Sequence, residues 1–117
     1  MFHSSEDLRE GEGGMSKGIK LIAAERKRQI EQEGWTPKHD DQHTFGQLSV
    51  AAACYAVAGV VRPGDSDWLR VVDPRGNDAW PWMKKWDKRR KHVRIRRLVI
   101  AGALIAAEID RLNREAG

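Results

Sequence analysis

Cysteine is almost missing from this chain: Cys54 stands alone among 117 residues. A lone thiol excludes an internal disulfide and a zinc site built from cysteines, and it fits a reducing cytoplasm. Apolar neighbours on both sides mark it as a buried core thiol rather than a reactive one. Long hydrophobic runs are missing too. Leu98–Ile109 is shorter than a bilayer span and ends in charge, so no membrane segment is expected. The N-terminus carries acids and glycines where a signal peptide has its apolar region, which again points to the cytoplasm. Acids are outnumbered: 21 Lys and Arg face 17 Asp and Glu, a formal charge of +4. That balance favours anionic partners without separating nucleic acid from nucleotide. At this length the chain builds one domain with a modest core.

Residues 1–16 are polar and glycine-rich and are expected to be disordered, leaving 17–117 as a single helical domain. The first helix is expected over Ser16–Glu33, with Ile19, Ile22, Ala23 and Ile30 on its apolar side and Gly34 as its stop. Thr44-Phe-Gly-Gln47 has capping-box spacing and opens a second helix to about Ala58. Its alanines and Cys54 admit a close neighbour, so this helix is expected at the centre. Gly59–Asn77 is a long break punctuated by Pro63-Gly64 and Asp73-Pro-Arg-Gly76, in which Trp68–Val72 reads as a short strand or a segment laid over the core. Trp80-Pro-Trp82 is an extended hinge. The last helix is expected over Lys88–Arg114, with Ile95, Leu98, Gly102, Ile105, Ile109 and Leu112 at three- and four-residue intervals. The expected fold is all-α: a three-helix antiparallel bundle with an irregular aromatic excursion between helices two and three, needing a second copy to cover its apolar faces.

The densest functional signal is basic. Nine of the fourteen residues Lys84–Arg97 are Lys or Arg, opposed within the run only by Asp87. Peptide dipoles already make a helix N-terminus positive, so cations crowded there need compensation, and an arriving anion supplies it. Lys84, Lys85, Arg89, Arg90, Arg94 and Arg97 are candidate phosphate ligands. Trp80, Trp82 and Trp86 are candidate stacking surfaces for a base, with Trp35 a further aromatic candidate. Equally, the tryptophans anchor the excursion to the core and the cations form a solvated face.

Glu25-Arg-x-Arg-Gln-Ile30, Glu33-Gly-Trp-Thr-Pro37, His39-Asp-Asp-x-His43, Ala51-Ala-Ala-Cys-Tyr-Ala56, Trp80-Pro-Trp82 and Ala101-Gly-Ala-Leu-Ile-Ala-Ala-Glu-Ile-Asp-Arg111 together resemble a family of small phage and prophage proteins. The resemblance covers most of residues 19–114. It implies a phage origin and carries no assured activity. Gln47 departs from the family's usual Glu, and the Val60–Ala79 segment is longer than usual. Gly34-Trp35 followed by acids and histidines is also loosely similar to the ryanodine-receptor-type repeat, which is thought to sense nucleotide ligands in bacteria.

Three chemistries compete for these residues. A distant likeness to MazG-like all-α nucleotide pyrophosphohydrolases implies carboxylates on facing helices holding Mg²⁺ against a triphosphate, with Glu25, Glu108 and Asp110 as candidates. Gln47 supplies no charge to such a cage. His39, Asp40, Asp41 and His43 are metal-ligand types, yet such a loop cluster more often caps a helix, a task open to Asp41 or Thr44. No nucleophile accompanies a histidine base. Ligand capture is the third. The leading expectation is a cytoplasmic phage protein that binds a small nucleotide-derived signalling ligand without consuming it, an anti-defence sponge with no cofactor. Phosphates would meet Lys85, Arg90, Arg94 and Arg97, the base would stack on tryptophan, and Glu25, Gln29 or His43 would read polar edges. Arg26 and Glu108 are candidates for a ligand clamp or for a pair locking the first and last helices. Pockets between protomers of a homo-oligomer suit tight capture. A Mg²⁺-dependent pyrophosphohydrolase is the alternative, and a nucleic-acid-binding module ranks third because the basic run lacks a DNA-reading motif.

Overall fold

The computed structural model describes residues 14–60, 75 and 77–117. The tail before residue 14, the Pro63-Gly64 turn, most of Asp73–Gly76 and the Trp68–Val72 segment lie outside the described residues. The chain is mainly helical, and no strand occurs among the described residues. Helix α1 spans Lys17–Gln32, α2 Pro37–Asp40, α3 Gln47–Val57 and α4 Arg94–Ala116, with 3-10 turns at Lys84–Trp86 and Arg89–Lys91. No helix among the described residues is long and apolar enough to cross a membrane.

Local chemistry sets the ends of α1. The Ser16 hydroxyl accepts the Ile19 N–H at 3.3 Å, satisfying one of the free donors of the first turn. At the other end Gly34 takes a left-handed φ of +75°, and the Gln29 carbonyl accepts both the Glu33 and Trp35 N–H groups. The chain therefore reverses at Gly34 and delivers Trp35 beside the helix. Thr36 then caps α2, accepting the His39 N–H, with Pro37 preset for a helix start.

Two helix starts differ from the sequence reading. Helix α3 begins at Gln47 rather than Thr44, because Gly46 sits at a left-handed φ of +79° and breaks the helical path. Gln47 Oε1 instead reaches back to accept the Phe45 N–H at 2.7 Å. Helix α4 begins at Arg94 rather than Lys88. Asp87 Oδ1 accepts the Arg89 N–H at 3.1 Å where a separate 3-10 turn begins, after which His92 and Val93 are extended.

The core lies between α3 and α4. Leu48, Ala51, Ala52 and Tyr55 meet Ile100, Ala101, Leu104 and Ala107, with Trp35, Trp80 and Trp82 packed against them. Alanines on both faces let the helices approach closely. Helix α4 is the spine: the extensive helix–helix contacts all run from it, to α3, to α1 and to α2.

Helix α1 turns a polar side inward. Its buried residues are Glu25 and Gln29, while Ile19 and Ala23 are exposed and Ile22 and Ile30 half-buried. The expected Ile19, Ile22, Ala23 and Ile30 face thus gives way to one centred on a carboxylate. Glu25 takes two bonds from Arg28, one from Gln29 Nε2 and one from Arg96 of α4. Buried charge persists only with such partners. Ile22 contacts α4 at Gly102, where an added Cβ would lie 2.5 Å from Ile22 Cδ1.

Candidate functional site

A cavity of about 590 Å³ opens where α1 hands over to α2, facing the Trp80-Pro-Trp82 hinge. The Gly34 turn supplies Glu33 and Trp35, α2 supplies His39 and Asp40, and the following loop supplies His43. Leu48 of α3 forms part of the wall, and Pro81, Trp82, Met83 and Trp86 complete the lining. Met83 and Trp86 are exposed and sit at its rim.

Aromatic rings organise this space. Trp35 and His39 lie nearly parallel, 6° apart in plane with centroids separated by 6.4 Å. Trp82 meets Trp35 at 6.3 Å and His43 at 5.1 Å, and His43 meets His39 edge-on at 5.2 Å. Behind Trp82 stand Trp80, at 5.6 Å and 89°, and then Tyr55, 5.9 Å from Trp80. These edge-to-face contacts tie the cavity wall to the core. Lys88 donates its backbone N–H to the Tyr55 hydroxyl at 3.2 Å. Burial pushes that phenol up to about 12 and the Cys54 thiol up to about 11, so both stay neutral.

The charges at the cavity are acidic. Asp40 is almost fully buried and receives Arg26 Nη2 at 2.5 Å, while Arg26 Nη1 reaches the Trp35 carbonyl at 3.4 Å. One guanidinium thereby holds both a carboxylate and the Trp35 backbone. Burial above all, with the His39 charge adding to it, pushes the His43 imidazole below its ordinary value, favouring its neutral form. Of the lining residues, Trp82 Nε1 and His39 Nδ1 are buried without a hydrogen-bond partner among the described residues, His39 Nδ1 lying 3.7 Å from Asp40 Oδ1. An indole N–H donates only, whereas an imidazole nitrogen donates or accepts by tautomer.

Of the candidate site residues, Trp35, His43, Trp82 and Trp86 converge on this cavity. Lys85 lies beside it, with its ammonium 5.1 Å from the Trp86 ring centroid, and Trp80 supports it from behind. Arg26 acts from outside the lining through Asp40. Glu25 and Gln29 lie instead in the α1–α4 contact.

Four of the five arginines of the basic run find partners inside the fold. Arg89 is buried, paired with Asp87 and laid over Trp80 at 5.3 Å. Arg94 donates to the carbonyls of Ala56 and Ala58, closing the C-terminus of α3. Arg97 is buried and donates to the Arg89 carbonyl at 2.9 Å. Arg96 is bound to Glu25. Carbonyls and carboxylates of the chain thus supply the compensation that the crowded helix start needs. Lys84, Lys85, Lys88, Arg90 and Lys91 are exposed.

Glu108 pairs with Arg111 at 2.7 Å and not with Arg26. Arg96, to which Glu25 is tied, precedes Glu108 by twelve residues on α4, or about 18 Å of helical rise. Asp41 pairs with Arg114 at 2.7 Å instead of capping α3. No group of three His, Cys, Asp or Glu among the described residues is placed to hold a metal ion. Glu33, Leu48, Pro81 and Met83 carried no signal as site residues in the sequence. His39 and Asp40 stood out only as metal-ligand types. No family model, no curated protein and no solved structure matches this chain.

Proposed function

We propose that this protein captures a small nucleotide-derived ligand without consuming it. The base enters the cavity against Trp82 and Trp35, and the phosphates stay at the rim near Lys84 and Lys85. One observation carries the reading: the cavity is walled by indole and imidazole rings, Trp35, Trp82, His39 and His43. Flat faces reward a flat guest, at about 1–3 kcal/mol per stacked base. Glu33 and Asp40 suit a base bearing amino groups, and a volume of about 590 Å³ falls in the range of small-molecule sites.

The basic run then divides its labour. Its arginines chiefly build the fold, and its exposed lysines meet phosphate. In a phage protein acting in the host cytoplasm, as the resemblance implies, such capture removes a nucleotide signal of bacterial defence. A homo-oligomer is part of this proposal.

The test is retention. Purified protein is incubated with a panel of mono-, di- and cyclic nucleotides and ADP-ribose derivatives, desalted and heat-denatured, and the released compound is identified by mass. An intact nucleotide supports capture. A converted one supports the Mg²⁺-dependent pyrophosphohydrolase, and retention of nothing overturns both.

A further inference from the structure

Five large aliphatic side chains of α4 remain uncovered: Ile95, Leu98, Ile105, Ile109 and Leu112 are between 42% and 68% exposed. With Gly102 they recur at intervals of three, four, three, four and three residues. That is the a/d spacing of a helix packing knobs-into-holes on another helix. The stripe lies apart from the buried face that meets α3, and Ile22 of α1 reaches it at Gly102. Seventeen residues of rise make it about 26 Å long, more than the scattered apolar exposure normal for a monomer.

Its order reads the same in both directions. Ile95 and Leu112, Leu98 and Ile109, and Gly102 and Ile105 are each equidistant from the midpoint between Ala103 and Leu104. A helix with this property is in register with an antiparallel copy of itself, as a two-fold interface requires. Charge selects the same orientation. The first turn of α4 holds Arg94, Arg96 and Arg97 and no acid, whereas its last turns hold Glu108, Asp110 and Glu115 together with Arg111 and Arg114. A parallel partner sets three arginines against three. An antiparallel partner sets the arginine-only first turn against the mixed last turns and opposes the helix dipoles favourably.

We propose that a second copy of this chain docks antiparallel along the Ile95–Leu112 stripe of α4, forming a two-fold homodimer. Leu98 of each protomer then packs against Ile109 of the other. Ile105 faces the partner's Gly102, where Ile22 of that protomer forms part of the floor. The interface specifies the homo-oligomer of the proposed function, and its test is separate from that of ligand capture because the cavity lies at the α1–α2 junction.

Sedimentation equilibrium of the full chain at micromolar concentration tests it. The expected mass is twice 13.3 kDa, and a monomer overturns the proposal. Ile105→Glu is expected to weaken association by roughly 30-fold or more while helical circular dichroism is kept, since Ile105 is half-exposed within one protomer. A dimer that survives this change overturns the assigned face. Orientation is read from disulfide trapping. Leu98→Cys mixed with Ile109→Cys should cross-link under oxidation. Leu98→Cys alone should not, because its copy lies eleven residues away along the partner, about 16 Å. Buried Cys54 does not compete. Cross-linking of Leu98→Cys to itself, without the mixed product, overturns the antiparallel arrangement.

Discussion

Arg26 of α1 donates to Asp40 of α2 at 2.5 Å, with side-chain exposures of 11% and 1%. This pair fixes the back of the cavity, since the same guanidinium reaches the Trp35 carbonyl. Removing one member leaves the other charge buried and alone, which costs about 3–5 kcal/mol. Arg26→Leu is therefore expected to lower the urea midpoint sharply. Asp40→Asn, which keeps an acceptor, should do so less. Equal and small effects would show that the pair does not hold the α1–α2 junction.

Trp82→Ala removes a central wall of the cavity and is expected to weaken nucleotide binding by about 1–3 kcal/mol, roughly five- to 150-fold. Trp82→Phe keeps a smaller flat face and deletes the five-membered part of the indole with its buried Nε1 donor. It should recover part of the affinity, measured by calorimetric titration.

The basic run separates into two phenotypes. Arg97→Ala breaks a buried bond to the Arg89 carbonyl and should destabilise the fold by about 2 kcal/mol. Lys84→Gln with Lys85→Gln alters exposed cations at the rim. It should leave the unfolding midpoint unchanged, weaken nucleotide binding a few-fold and flatten its salt dependence.

Burial lowers the folded pKa of His43 below the ordinary 6.5. A depressed folded value means the unfolded chain takes up the proton first. The stability contributed by the neutral imidazole is therefore complete above pH 6.5 and lost as pH falls through the folded value. For Glu25, burial works to raise the carboxyl, but Arg28 and Arg96 outweigh it and hold it below 4.5. Its contribution is thus complete above 4.5 and fades only in stronger acid. His43→Gln should flatten the first limb of a stability–pH curve and leave the second.

An added methyl at Gly102 meets Ile22 Cδ1 at 2.5 Å and Cγ1 at 2.8 Å. Gly102→Ala gains up to about 1 kcal/mol in helix propensity and loses about 1–3 kcal/mol to overpacking. Net destabilisation is expected in thermal unfolding, with rescue by Ile22→Val.

Features set by neighbouring residues were legible in the sequence. Ser16 and Gly34 mark the ends of α1 because capping is local chemistry. The period of α4 picks out Ile95, Leu98, Ile105, Ile109 and Leu112, which are exposed, whereas the core is met by Ile100, Ala101, Leu104 and Ala107. What escaped depends on distant partners. Glu25 lies inside because Arg96, 71 positions away, meets it. Arg94 looked like a phosphate ligand because its acceptors, the Ala56 and Ala58 carbonyls, sit beyond a long break in the chain. Gly46 hid the true start of α3 within a capping-box pattern, since spacing does not reveal a left-handed φ. In the cavity, the tryptophans stood out by type. Glu33, Leu48, Pro81 and Met83 acquire meaning only where the hinge folds back over α2.

The central claim, that a flat guest sits among indoles rather than at the arginine-rich helix start, is tested most directly by nitrogen–proton NMR. Assigned indole and guanidinium signals are followed while the protein is titrated with the nucleotide it retains. The account predicts that the Trp82 and Trp35 indole signals move with the bound fraction, while the Arg94 and Arg97 Nε–H signals stay in place. Movement of the arginine signals with the Trp82 and Trp35 signals unchanged would contradict it.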